Sequence, residues 1–267
     1  MTIVVYTNPN APHQIKFHGA MAAGIESHGT EVIHKITGQW VNSDVAVVWG
    51  ERNRLRASKY ATRVLVMEIG YLPQDRSAEG LQFVSCGWNG LNGRADFCNA
   101  NSPSDRWQKH GHELPEWNAQ GDYILLLGQV PGDQSHAHAD INSFYVEAIR
   151  GLAGIGLPVV FRPHPLGSKA PAGCVLDTSE SLEQALNGAA FAVTFNSNSG
   201  VDAVLNGTPV ITMDKGSMAW DVSGHEFALP PTPAREQWCY DLAYAQWSES
   251  EIREGDTWQH LRKGLQG

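Results

Sequence analysis

Short apolar runs recur along this chain with helix-like segments between them; they stop near the middle and then begin again, and no other feature constrains the fold as much. In the first half the runs fall at residues 3–6, 31–36, 44–49 and 63–69, the last two almost unbroken in apolar residues. Strands covered on both faces read this way, because a parallel sheet carries helices on each side and leaves no solvent face to mark by alternation. Between the runs, residues 14–28 predict a helix closed by Gly29, and residues 53–62 predict a second. The small residues Gly19, Ala20, Ala22, Ala23 and Gly24 suit the first helix to close packing on a sheet. From residue 99 to 120 the pattern is lost in a polar stretch with two prolines, which predicts a linker or crossing segment. The alternation resumes with strands at 123–127, 158–161, 191–195 and 209–213, and helices at 141–153, around 181–186 and at 200–206, the last closed by Gly207. Residues 250–265 read as a terminal helix with Ser250 as its cap. Two such runs predict an α/β protein of two small Rossmann-like, doubly wound domains facing a cleft. The predicted boundaries are residues 1–118 and 119–267, the second domain keeping the C-terminal helix.

Composition removes several function classes. A hydrophobic fraction of 42% supports a real core, so the chain is not a disordered one. A net charge of -9 disfavours tight non-specific binding to a polyanion, since that affinity comes from Lys and Arg on phosphates. The four cysteines show no CxxC spacing, which leaves zinc and thioredoxin-like chemistry unsupported. No DxD occurs, so the acidic pair that would hold Mg²⁺ or Mn²⁺ under a diphosphate is missing. The pairs His110/His112 and His136/His138 lie in polar or helix-start context without an obvious third ligand, and no metal site is expected. The first residues, MTIVVYTNPN, lack a basic segment, and no apolar run is long enough to span a bilayer; the expectation is a cytoplasmic protein.

In open α/β sheets, ligands bind beyond the carboxyl ends of the strands. Four such ends in the second half are decorated. In LLLGQVPGDQS a strand runs into a turn whose amides, with Ser135 near a helix start, suit an anion. In VVFRPHPLG, Arg162 and His164 emerge between stiffening prolines and suit contacts to a phosphate leaving group. In FNSNSGVDAVLNGTPVI, Ser197 and Ser199 stand where helix caps belong, and Gly200 would let a ligand approach the backbone. In MDKGSMAWDVSG, Lys215 and Trp220 follow the last strand and suit the sugar or base of a donor.

The order GQVPGDQS, RPHP, then the Ser-Asn-Ser-Gly stretch with DAVLNGTPVI resembles capsule-polysaccharide-type glycosyltransferases, which include Kdo transferases and have a GT-B-like fold. The resemblance covers roughly the second half. It implies a nucleotide-sugar donor site lined by Gln129, Asp133, Ser135, His164, Ser197 and Ser199. The aromatic-Gly-Trp-Gly stretch of those enzymes is replaced here by GSMAWDV.

Sugar transfer needs a carboxylate or His to take the acceptor proton in an inverting reaction. Asp96 in GWNGLNGRADF is the first candidate, Glu68 in VMEIGY the second and His13 the third. A metal-independent donor site would neutralise the leaving group with helix N-termini, Arg162, His164 and Lys215, with no cofactor beyond the nucleotide-sugar co-substrate. The acceptor is a surface glycan or a hydroxymethylated base of phage DNA. Arg52, Arg56, Lys59 and Arg63 would share a helix face able to track a phosphate backbone. A nucleotide-sugar epimerase of the same architecture, or a binding module without chemistry, are the alternatives.

Overall fold

Ile3–Thr7 (β1) leads into Pro12–Glu26 (α1), where Pro12 opens the helix and its missing N–H costs no hydrogen bond. This computed structural model describes residues 1–75, 77 and 79–265. After Gly29, at φ +79°, the chain makes Val32–Ile36 (β2), Ser43–Trp49 (β3), Gly50–Ala57 (α2) and Ala61–Ile69 (β4). Phe83–Trp88 (β5) and Asp105–His110 (α3) follow. A second alternation runs through Tyr123–Leu127 (β6), Ile141–Leu152 (α4), Val159–Arg162 (β7), Val175–Leu176 (β8) and Leu182–Gly188 (α5). It continues with Ala189–Thr194 (β9), Ser199–Asn206 (α6) and Val210–Thr212 (β10). Glu236–Ala243 (α7), Gln246–Ser248 (β11), Glu249–Glu254 (α8) and Asp256–Leu261 (α9) complete it.

The chain divides into two compact units, one of Met1–His110 with the segment from Cys239 onward, the other Gly111–Trp238. The expected split at 118/119 is therefore corrected at both ends. The C-terminal segment belongs to the first unit, because β11 adds to β5 as an antiparallel edge strand. Close packing fixes it there. A Cβ on Gly24 of α1 would stand 2.1 Å from the carbonyl oxygen of Ile252 in α8, so Gly24 admits the returning helix, while Ala20 and Ala22 join the core with the sheet. Arg106 of α3 donates to the Ala243 and Gln246 carbonyls, at 3.0 and 2.8 Å, and to the Glu251 carboxylate at 2.8 Å, with its guanidinium 3.9 Å from the Trp247 ring. Ser248, not Ser250, caps α8 in a reciprocal capping box with Glu251, and Gly255 at φ +92° ends that helix.

In the first unit the strand order is β11-β5-β4-β3-β1-β2. Ile3, Val5, Val45, Val47, Leu65 and Met67 face α1, α8 and α9, while Val4, Tyr6, Ala46, Val48, Val64 and Val66 face α2 and Trp40. The second sheet has the order β10-β9-β6-β7-β8, all parallel. α4 covers one of its faces with Ile141, Phe144, Tyr145, Ala148 and Leu152, and α5 and α6 cover the other. Both units are thus doubly wound, as the apolar runs predict.

Candidate functional site

Each sheet has one place where the strand order reverses, and there the crossovers leave to opposite faces and open a crevice above the strand ends. In the second unit this lies between β6 and β9, since β7 and β8 build outward on one side and β10 on the other. Gln129, one residue past Gly128 at the end of β6, is 4% exposed and bridges the two strand ends. Its Oε1 accepts from the Thr194 hydroxyl and the Phe195 and Asn196 amides at 3.0–3.2 Å, and its Nε2 donates to Asn196 Oδ1 at 2.9 Å. The Tyr145 hydroxyl accepts its backbone N–H at 2.7 Å. Gln129 therefore shapes the crevice from beneath and spends its amide on the protein.

Asn196 carries the arrangement upward. Its Nδ2 donates to the Ser135 carbonyl at 2.9 Å and to Asp214 Oδ1 at 3.0 Å. Asp214, on the loop after β10, also accepts from Gly216 N–H at 2.8 Å and faces His138 Nε2 at 3.0 Å. Three strand-end loops are so joined through one asparagine and one aspartate. Beside them the Ser197 hydroxyl accepts from Ser199 N–H at 3.2 Å and donates to the Ser199 hydroxyl at 3.3 Å, at the start of α6. Asn198 is the capping position, but its side chain makes no cap bond. The first turn of α6 thus presents two hydroxyls and backbone dipoles, a setting that favours an anion.

His164 leaves β7 with its Nδ1 accepting Leu166 N–H at 3.1 Å, which assigns the ring proton to Nε2 and makes that atom a donor. Three expected contacts read differently. Arg162 is committed to Asp177 and to the Ser179 carbonyl, and the Asp177 carboxyl, which burial alone would raise, is held below its usual range by Ser179 and Arg162. Asp133 accepts Ser135 N–H at 2.8 Å as an ordinary turn cap. Gly200 directs its would-be Cβ to Thr194, Ala219 and Ser217 at 3.4–3.7 Å, so on its Cβ side it faces protein. Lys215 is exposed on the loop beside Asp214. The two members of the His136/His138 pair part company: His136 is buried with Nε2 on the Val130 carbonyl at 2.9 Å, while His138 meets Asp214.

In the first unit the reversal lies between β1 and β3. There the His13 ring stands edge-on to Trp49 with centroids 4.7 Å apart, and burial holds its pKa below the usual value. His18, one and a half turns further along α1, is wholly buried with Nδ1 3.2 Å from the Thr7 hydroxyl. Burial, then the neighbouring His13, drives its pKa down to about 3, and its Nε2 meets no hydrogen-bond partner among the described residues. Glu68 reaches the same end of the sheet: Gly50, at φ +75° after β3, leaves room where a Cβ would be 3.3 Å from Glu68 Oε2. Glu68 Oε1 accepts Ile69 N–H at 2.9 Å. Asp96 stands apart. It pairs with Trp88 at the far end of β5, level with Leu65, with β4 and β5 between it and the β1/β3 crevice, and its Oδ1 accepts Cys98 N–H at 2.8 Å.

Asn196, Trp49 and His18 are absent from the candidates read off the sequence; Asp214 is there only as part of the loop after the last strand, and His138 only as half of a His pair set aside for metal. The strand-end position of Asn196 in FNSNSG was visible; what identifies it is the strand order, which only the folded sheet reveals.

Two doubly wound units with polar constellations at their strand-order reversals define the class: a GT-B-like fold. Among solved structures the chain is similar to the beta Kdo 2,4 transferase of Thermosulfurimonas dismutans KpsC, with 16% identity over 93% of this chain and 92% of that one, at a TM-score of 0.63. It is also similar to the beta Kdo 2,7 transferase of the same KpsC, with 13% identity over 97% and 100% of the two chains and a TM-score of 0.56. Identities this low speak for a shared fold, and the likeness extends well beyond the second half that carried the sequence resemblance. No family model matches the chain, and no curated protein matches it.

Proposed function

We propose that this chain transfers a sugar from a nucleotide-sugar to an acceptor hydroxyl, with the donor held on the second unit and the acceptor proton taken on the first. The observation that carries the reading is the pair of strand-order reversals, each furnished with polar side chains. The donor phosphates lie at the start of α6, meeting the Ser197 and Ser199 hydroxyls, with His164 Nε2–H as a further donor to the departing charge. The acceptor O–H loses its proton to His13. The freed oxygen attacks the anomeric carbon as the bond to the phosphate oxygen breaks, and the nucleotide leaves with the electron pair. His13 is preferred to Asp96 because it stands at the β1/β3 crevice and its lowered pKa keeps it neutral, and so basic, at pH 7. Glu68 shares that end and is the second choice. Without a DxD, protein donors rather than a divalent cation meet the phosphates.

Nucleotide binding followed by calorimetry with UDP, GDP, CMP and dTDP, with and without EDTA, tests the donor half. Ser199→Ala should weaken the binding nucleotide by about tenfold, the worth of one hydrogen bond to a charged group, at an unchanged melting temperature. Unaltered affinity would remove α6 from the site. His13→Ala should abolish transfer and spare donor binding, whereas Asp96→Asn should turn over normally. The acid limb of kcat/KM should fall below pH 6.5, because His13 titrates below its ordinary value. Full activity in His13→Ala would pass the role to Glu68.

A further inference from the structure

Residues 52, 55, 56 and 59 recur at helical spacing on the outward side of α2 and its closing turn, where Lys59 N–H still bonds the Arg56 carbonyl. Arg52, Leu55, Arg56 and Lys59 are all exposed, and Tyr60 follows them; Leu55 keeps 47% of its surface in water and Tyr60 41%. The acid of this segment is already spent, since Glu51 grips Arg54 with both oxygens. Arg52, Arg56 and Lys59 have no side-chain partner among the described residues. Arg63, which the sequence pattern adds to the stripe, instead lies in β4 with its guanidinium on the Gly264 carbonyl. The same face of the sheet continues the apolar element. Ile33 of β2 is in register with Val4, which belongs to the α2-side layer, and is 41% exposed.

A solvated helix face explains the three cations but not the leucine and tyrosine among them. We propose that this face docks the protein on an anionic phospholipid bilayer. Arg52, Arg56 and Lys59 meet the headgroup phosphates while Leu55 and Tyr60 enter the headgroup–acyl boundary, the division of labour of an interfacial helix. A nucleic-acid backbone matches the cations equally well but sets Leu55 against charged phosphates, so the apolar members favour lipid. With a chain-wide charge of -9, the remaining surface is repelled by the same bilayer, and binding is oriented with α2 down. This inference stands apart from the proposed transfer and shares no residue with it.

Co-sedimentation of the full chain tests it, using vesicles of phosphatidylcholine alone and of phosphatidylcholine mixed with phosphatidylglycerol. Binding is expected only to the mixed vesicles, and it should fade with added salt. The triple variant Arg52→Glu, Arg56→Glu, Lys59→Glu should lose it. Leu55→Ser, at constant charge, should weaken it on the order of tenfold, the worth of one buried leucine. Both variants alter exposed groups and should melt like the parent. Failure of the parent chain to sediment, or equal sedimentation of the triple variant, would overturn the proposal. So would undiminished binding by Leu55→Ser, which leaves no apolar insertion. Retention of a short DNA duplex by the parent but not the triple variant, without vesicle binding, would reassign the face to nucleic acid.

Discussion

Gly19 and Gly24 stand on the same helix and look alike in the sequence, yet their surroundings are opposite. Among the described residues nothing lies within 4 Å of a Cβ built on Gly19, whereas one on Gly24 meets the Ile252 carbonyl oxygen. Gly19→Ala should therefore stabilise the first unit by roughly 0.5–1 kcal/mol, through helix propensity alone. Gly24→Ala should cost about 1–3 kcal/mol by forcing α8 away. Urea denaturation of the two variants checks both signs. The small-residue stretch was legible as a sign of close packing, but its partner was not, because Ile252 lies more than two hundred residues further on. The place of Glu68 near a strand end was legible in VMEIGY, whereas His13, read as part of the loop after the first strand, lies in the first turn of α1. Asp96 was chosen from its loop composition, and loop composition does not say at which end of a sheet the loop lies.

At the scale of elements, β1 to β4, β6, β7, β9 and β10 follow the apolar pattern closely, and β9 with α6 lies within a residue or two of its expected bounds; the two-residue β8 was not expected. β5 and β11 escaped notice for a shared reason. They are antiparallel, and their sequences, FVSCGW and QWS, contain polar or small residues that a buried strand seldom needs. Gly87 of β5 is required by the ring of Phe97, which would stand 2.7 Å from a Cβ there. Helix α2 starts three residues earlier than expected, since Gly50 at positive φ turns the chain directly out of β3. Beyond the ladder that pairs β6 with β9, one side chain ties their carboxyl ends together. Gln129→Leu would leave the Phe195 and Asn196 amides and the Asn196 side chain without their partner. A loss of about 2–3 kcal/mol is expected in denaturant unfolding of the second unit. Nucleotide affinity should fall with it, because Asn196 holds the three loops in place. A variant that loses stability but binds nucleotide like the parent would separate the clamp from the site.

At the scale of the whole molecule, the two units should answer acid differently. His18, driven down to about 3 from 6.5, favours the folded state fully above pH 6.5, and that contribution drains away as pH falls toward 3. Glu251 lies at about 2 against an ordinary 4.5: burial opposes its ionisation, and the hydrogen bonds from Arg106, Ser248 and Lys109 outweigh that. Its contribution is complete above pH 4.5 and is lost from there toward pH 2. Both groups belong to the first unit. Hydrogen exchange on stepping from neutral pH to around pH 4 should open that unit before the second, and His18→Gln should flatten the upper part of the transition. Earlier opening of the second unit would show that other groups govern acid stability. The return of the chain from Cys239 has a further consequence, for synthesis. Residues 111–238 are contiguous and can fold as soon as they leave the ribosome, while the first unit waits, its sheet without β11 and its apolar face without α8 and α9, until the segment from Cys239 onward is made. The unit begun before the other is completed after it, and a nascent chain halted near residue 238 would carry one completed unit and an open one that holdase chaperones should recognise.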